Sequence, residues 1–135
     1  MADRTLLDTD TVSYLLRKET RVVARAADYL ADFPQLSISI ITRYEILRGL
    51  CFKRAISQRA TFDAFCRSCE IIALSDDIIV RAADIYASLR SRGMQIGDAD
   101  ILIAATAIEH GFHLATNNVK HYARVSGLTV DNWRG

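Results

Sequence analysis

Short apolar runs alternate along this chain with longer stretches of helical period, and that alternation predicts its elements. Thr5-Leu6-Leu7 is an apolar run that stops at Asp8-Thr9-Asp10, which reads as strand, loop and then helix. A first helix is expected from about Thr11 to Lys18 and a second from about Thr20 to Asp32, bounded by Pro34. Leu36 to Ile40 alternates and is β-branched, hence a second strand. Thr42-Arg43-Tyr44-Glu45 then opens a helix in the pattern of a capping box, with Thr42 capping and Glu45 reaching back. Gln58 to Cys69 is helical, with Phe62, Phe65, Cys66 and Cys69 on one face, and Glu70 to Leu74 is a third strand. Ser75-Asp76-Asp77 starts an amphipathic helix in which Ile78, Ile79, Ala82, Ala83, Ile85, Tyr86 and Leu89 recur at helical spacing until Gly93.

The stretch Ile96 to His110 is different in kind. Ile101 to Ala105, continuing through Ala107 and Ile108, is apolar nearly all the way round a 3.6-residue period, as in a helix buried on every side. A turn and fourth strand follow from Gly111 to Thr116, then polar Asn117-Asn118, a short helix near His121, and Leu128-Thr129-Val130 as a fifth strand. Strands alternating with helices predict an α/β fold: a doubly wound parallel sheet of four to five strands flanked by helices, in a single domain over residues 1–135.

Composition narrows the partners. Seventeen Lys and Arg against sixteen Asp and Glu give a net charge of +1, which supplies no global field for nucleic acid. The charge is uneven, however: six basic residues against two acidic lie between Arg43 and Arg67, so Arg43, Arg48, Lys53 and Arg54 are the candidates for facing phosphates. The start MADRTLL turns acidic too soon for a signal peptide, and no apolar run approaches about 18 residues, so a cytoplasmic chain without a membrane partner is expected. Cys51, Cys66 and Cys69 are an odd number and imply no disulfide framework; Cys66-x-x-Cys69 lacks a second pair for zinc, and buried or half-buried thiols are expected.

The chemistry gathers on acids. The first turn of the apolar helix carries Asp98 and Asp100, and buried Asp is rare without a partner or a cation. Capping accounts for them singly, with Asp98 as N-cap and Asp100 favoured by the helix dipole. In doubly wound sheets, however, ligands bind beyond the carboxyl ends of the strands. Asp8 ends the first strand, Glu45 sits in the first helical turn after the second, Thr116 closes the fourth, and Asn118 and His121 follow it. Two carboxylates about 5 Å apart repel by roughly 3 kcal/mol at an effective dielectric near 20. A hard cation, Mg²⁺ or Mn²⁺, removes that repulsion and suits phosphoryl transfer. Asp8 and Asp100 are therefore assigned as metal ligands and Glu45 as the group that orients or deprotonates a water. Asp98, Asn118, His121 and Thr116 are placed at the periphery.

The segments LLDTDTVSYLL, SISIITRYEILRGL, IGDADILIAATAIEHG and HLATNNVKHYARVSGLTVDNW together resemble the PIN-domain ribonucleases, in particular the VapC toxins of type II toxin–antitoxin systems, from about residue 4 to 133. The resemblance implies a Mg²⁺-dependent endoribonuclease acting on RNA, a homodimer, and inhibition by a cognate VapB-type antitoxin. The family's acidic positions fall on Asp8, Glu45 and Asp100. One departure is that many members carry a fourth acid where this chain has Asn118 and His121, which weakens the case for a second tightly bound metal. The early helices, with Val12, Leu15, Leu16, Val22 and Val23, are expected at the dimer interface. Two other readings remain. Asp8-Thr9-Asp10-Thr11-Val12 fits the DxDx(T/V) motif of haloacid-dehalogenase phosphatases, in which Asp8 would be the nucleophile; that class needs its late acids at a strand end. A PIN fold that binds RNA without cleaving it is the other.

Overall fold

The structure, a computed structural model, describes residues 3–135. Five parallel strands, β1 (Thr5–Leu7), β2 (Ser37–Ser39), β3 (Glu70–Ile72), β4 (His113–Ala115) and β5 (Val130–Asp131), form one sheet in the order β3-β2-β1-β4-β5. The helices between them are α1 (Thr9–Leu16), α2 (Thr20–Asp32), α3 (Ile40–Phe52), α4 (Ile56–Arg67), α5 (Asp76–Ser91), α6 (Asp98–Glu109) and the short α7 (Val119–Tyr122). Strand order runs outward in both directions from β1 and β4, so the crevice between the ends of those two strands is the switch point of the sheet.

Burial on both faces explains why the strands read as apolar runs. Leu6, Ile72 and Leu114 point to a core shared with α5, α6 and the region of Tyr122 and Val125. Leu7, Ile38 and Ala115 point the other way, into a core with Val12, Val22, Phe62 and Trp133. α6 is buried along Ile101 and Ile103 to Ala107, as its apolar period predicts, and its alanines let it lie close to its neighbours.

Several local expectations are corrected. α1 begins at Thr9 rather than Thr11, because the Asp8 carboxylate caps it by accepting from the Thr9 N–H; Asp10 thereby enters the first turn. α3 begins at Ile40, not Thr42. Ser39 is its cap, extended at φ −76° and ψ 148°, with its hydroxyl accepting from the Ile41 N–H, so the Thr42–Glu45 capping box does not form. Gly97 is the N-cap of α6 and Asp98 its first helical residue. On α5 only Ile78, Ala82, Ile85 and Leu89 are buried; Ile79 and Tyr86, on the flanks of that stripe, are exposed. The last strand is Val130–Asp131, later than Leu128–Val130. Cys66 is buried and Cys69 half-buried as expected, but Cys51 is exposed. Val12 and Val22 have no exposed surface and belong to the core, which removes them from any dimer interface. Among the described residues no helix is long and apolar enough to cross a membrane.

Candidate active site

Three segments deliver carboxylates to the switch point. Asp8 stands at the end of β1, where its backbone N–H still bonds to the Ala115 carbonyl of β4. Its side chain is 4% exposed and both oxygens are engaged: Oδ1 accepts from the Thr9 N–H at 2.8 Å and Oδ2 from the Thr116 hydroxyl at 2.8 Å. Thr116 in turn accepts from the Asn118 N–H at 3.0 Å, so the end of β4 is laced to the end of β1. Asp10, in the first turn of α1, accepts from the Asn117 N–H at 3.0 Å and from the Thr11 hydroxyl at 3.3 Å. Asp100 comes from the first turn of α6. Its Oδ2 lies within hydrogen-bond distance, 2.9 Å, of His121 Nε2.

Glu45 reaches the site from the second turn of α3. Its Oε1 accepts from the Thr9 hydroxyl at 2.7 Å, and the Thr9 oxygen also lies 3.1 Å from that of Thr42. Its Oε2 is 3.7 Å from the exposed Arg48 guanidinium. Thr9 thus ties α1 to α3 and fixes the orientation of Glu45.

The electrostatics are those of a site with too much negative charge. Burial, then the Asp10 charge and, more weakly, that of Asp100 push the Asp8 carboxyl up to about 7, against the lowering effect of its hydrogen bonds. Burial likewise raises Asp10, opposed by the N–H of Asn117 and by Thr11. Among the described residues no Lys or Arg pairs with Asp8, Asp10 or Asp100; the ring that meets Asp100 is that of His121. Tyr122, wholly buried, completes the wall. Burial first, then the charges of Asp8 and Asp100 and the approach of its hydroxyl to those two carboxylates, drive its phenol far upward.

Of the residues singled out from sequence, Asp8, Asp100, Thr116 and His121 come together here, with Glu45 at the side. Asn118 contributes its backbone, and Asp98 is exposed and takes no part in these hydrogen bonds. Asp10, Thr9 and Tyr122 were missed. The Asp8-x-Asp10 spacing was visible, but with helix α1 expected to start at Thr11 it read as loop. Of the basic candidates, Arg43 is committed to Asp63 at 3.2 Å and lies over the Phe62 ring. Arg48, Lys53 and Arg54 are exposed, and Lys53 with Arg17 borders a groove of about 640 Å³ between α1, α3 and α4 that opens on Thr9 and Glu45.

Oxygen-only donors with surplus charge fit a hard divalent cation. Among the described residues no three acidic, His or Cys side chains are gathered closely enough to hold a metal ion between them. Mg²⁺ does not need one, since it uses one or two carboxylates and keeps waters. The phosphatase motif fails on placement: Asp98 and Asp100 begin α6 and do not end a strand.

An α/β sheet with this order and an acidic switch point defines a class, and comparison with known proteins gives it a name. The PIN domain family model matches residues 5–128. The chain is 30% identical over 129 residues to ribonuclease VapC2 of Rickettsia felis, covering 95% of this chain and 96% of the relative. It is 39% identical over 96 residues to ribonuclease VapC1 of Methanocaldococcus jannaschii, covering 70% and 68%. The crystal structure of VapBC2 from Rickettsia felis bound to a DNA fragment from their promoter superposes with a TM-score of 0.86, at 28% identity, over 96% of this chain and 98% of that one. The chain belongs to the PIN-domain family, as a ribonuclease of the VapC type.

Proposed function

We propose that this chain is a Mg²⁺-dependent endoribonuclease toxin, with Mn²⁺ as substitute, neutralised by a cognate VapB-type antitoxin. The observation that carries the reading is the group Asp8, Asp10 and Asp100 at the sheet's switch point, with no Lys or Arg partner among the described residues and with Asp8 pushed up to about 7 by burial and its neighbours. Asp8 and Asp100 would hold the cation; bound there, it would polarise the phosphodiester and lower the pKa of an attacking water. Glu45, with one oxygen fixed by Thr9, orients that water and takes its proton as the water oxygen bonds to phosphorus and one P–O ester bond breaks. Thr116 and the Thr9 N–H hold Asp8 in place, and His121 does the same for Asp100. Arg48, Lys53 and Arg54 provide exposed charge for RNA phosphates beside Glu45.

The antitoxin follows from kinship with VapBC complexes such as that of Rickettsia felis. The groove between α1, α3 and α4, with Leu16, Ile46, Leu50 and Phe62 in its lining, opens on Glu45, so an apolar antitoxin segment laid there would cover the site. A homodimer is part of the same reading, checked by light scattering of the purified chain.

The test is cleavage of total RNA by antitoxin-free protein with and without Mg²⁺. Discrete fragments that need both the cation and Asp100 are expected, and Asp100→Asn should lower the rate by at least about a hundredfold while leaving the protein folded. Intact RNA under all conditions, from folded protein that still binds it, would transfer the assignment to a binding module.

A further inference from the structure

Nothing in the fold requires Gly49 to be glycine. It lies inside α3, where glycine is less favourable than alanine. Among the described residues the glycines of positive φ are Gly93, Gly111 and Gly127, and a Cβ built on Gly49 would meet no atom within 4 Å. Neither backbone conformation nor close packing therefore calls for it. Glu45, Ile46, Gly49, Leu50 and Lys53 form one stripe of α3 that lines the groove of about 640 Å³ between α1, α3 and α4, and Gly49 lies inside that stripe. The absent side chain thus keeps the groove open. Its walls change character along their length. On α3 the steps Glu45, Gly49 and Lys53 follow at about 6 Å of helix each, and on α1 Thr9, Ser13 and Arg17 do the same. Each series starts at the acidic site, where Thr9 bonds to Glu45, and ends on an exposed cation. Among the described residues neither Arg17 nor Lys53 is paired with a carboxylate. Leu16 and Leu50 add apolar surface, and the exposed Ser57 and Gln58 of α4 add hydroxyl and amide groups.

We propose that this groove is the subsite for one unpaired nucleotide next to the scissile phosphate, its base lying over Gly49 and its far phosphate against Arg17 and Lys53. A base has apolar faces and hydrogen-bonding edges, and the phosphate beyond it is an anion; the groove offers apolar surface, amide and hydroxyl groups, and two cations in that order. Its volume falls in the range of roughly 300–1,000 Å³ that holds a small molecule, and is too small for a duplex. Proteins that read RNA sequence take bases that are unstacked and splayed out. A strand held at Glu45 has to continue past it, and the groove is where Glu45 opens. Ser57 and Gln58 then meet the edge of the base and bias which one is accepted. An antitoxin segment laid in the groove would displace that nucleotide. The inference deepens the ribonuclease reading above and rests on it.

The test is binding of two labelled oligonucleotides of equal length to full-length Asp100→Asn protein in Mg²⁺: a single-stranded RNA of mixed sequence, and an abasic strand that keeps the phosphates without the bases. In that background Gly49→Leu fills the groove from α3 and Ser57→Trp fills it from α4. Leucine in place of a helical glycine should leave the melting temperature unchanged or higher. The parent should hold the RNA about tenfold more tightly than the abasic strand, within the range for one base lodged on protein. Both filled proteins should lose that preference and bind the abasic strand as the parent does. A preference retained in either of them overturns the inference and leaves the groove to the antitoxin. Equal losses for the two strands also overturn it, since the groove would then hold phosphates alone. No binding of either strand by the parent overturns the inference, whereas cleavage of RNA by the unaltered chain reports on the ribonuclease reading by itself.

Discussion

Asp8 concentrates the conflict that defines the site. It caps α1, joins β1 to β4 through Thr116, and is charged only at a cost because it is buried beside Asp10 and Asp100. Its folded pKa of about 7 lies above its ordinary value of 3.8, so between those values the folded state holds a proton that the unfolded chain releases. Stability of the metal-free protein should therefore fall as pH rises from about 4 to about 7, by up to about 4 kcal/mol from this residue alone, and level off above. Urea unfolding in chelator across that range, compared with Asp8→Asn, isolates the effect. The variant should lose that part of the slope and be the more stable of the two at pH 8; an identical slope in both would place the strain elsewhere. At this scale the sequence was informative about Asp8 and Asp100, because an acid at a strand end or in the first turn of an apolar helix contradicts its surroundings. Tyr122 gave no such signal. An aromatic residue at helical spacing looks the same from sequence whether its hydroxyl reaches water or is sealed beside two carboxylates.

Helix starts decide which side chains enter the site, and there local pattern was a weaker guide. Ile40 looked like the end of the second strand, since β-branched residues favour one, and Thr42-x-x-Glu45 looked like a capping box. Ser39 takes the cap instead, which puts Glu45 in the second turn of α3, free to meet Thr9 of α1. The same pattern of residues satisfies either start; the choice is made by a tertiary hydrogen bond between segments 36 residues apart. Ser39→Ala should cost about 1 kcal/mol, lowering the melting temperature by a few degrees, and leave the Ile41 amide open to hydrogen exchange. Thr42→Val keeps the volume and removes the hydroxyl, so Ile41 should stay protected in it. Loss of Ile41 protection in Thr42→Val, and not in Ser39→Ala, would return the cap to Thr42. Strands β1 to β4, though shorter than expected, and the amphipathic α5 lie where two-sided burial and a sustained apolar stripe leave little choice, and α2 matches its expected ends from Thr20 to Asp32.

Taken whole, the molecule is nearly neutral and must still hold a polyanion over a cluster of carboxylates. A global field cannot do this, so attraction has to come from charges close to the site. Arg43 is not among them, because Asp63 and the Phe62 ring already engage it. Arg48 near Glu45, and Lys53 and Arg54 at the turn between α3 and α4, remain exposed on the same side. Each phosphate contact on a single strand contributes roughly 0.7 to the slope of log affinity against log salt concentration. Replacing all three by alanine should therefore lower that slope by about 2 and weaken binding most at low salt. Arg43→Ala, by contrast, should cost stability through its lost partner and leave the slope alone. The measurement is RNA binding by Asp100→Asn protein, which is expected to hold RNA without cutting it, across a series of KCl concentrations. An unchanged slope in the triple variant would move the RNA path off this flank, and the next place to look is Arg17, which borders the same groove from α1.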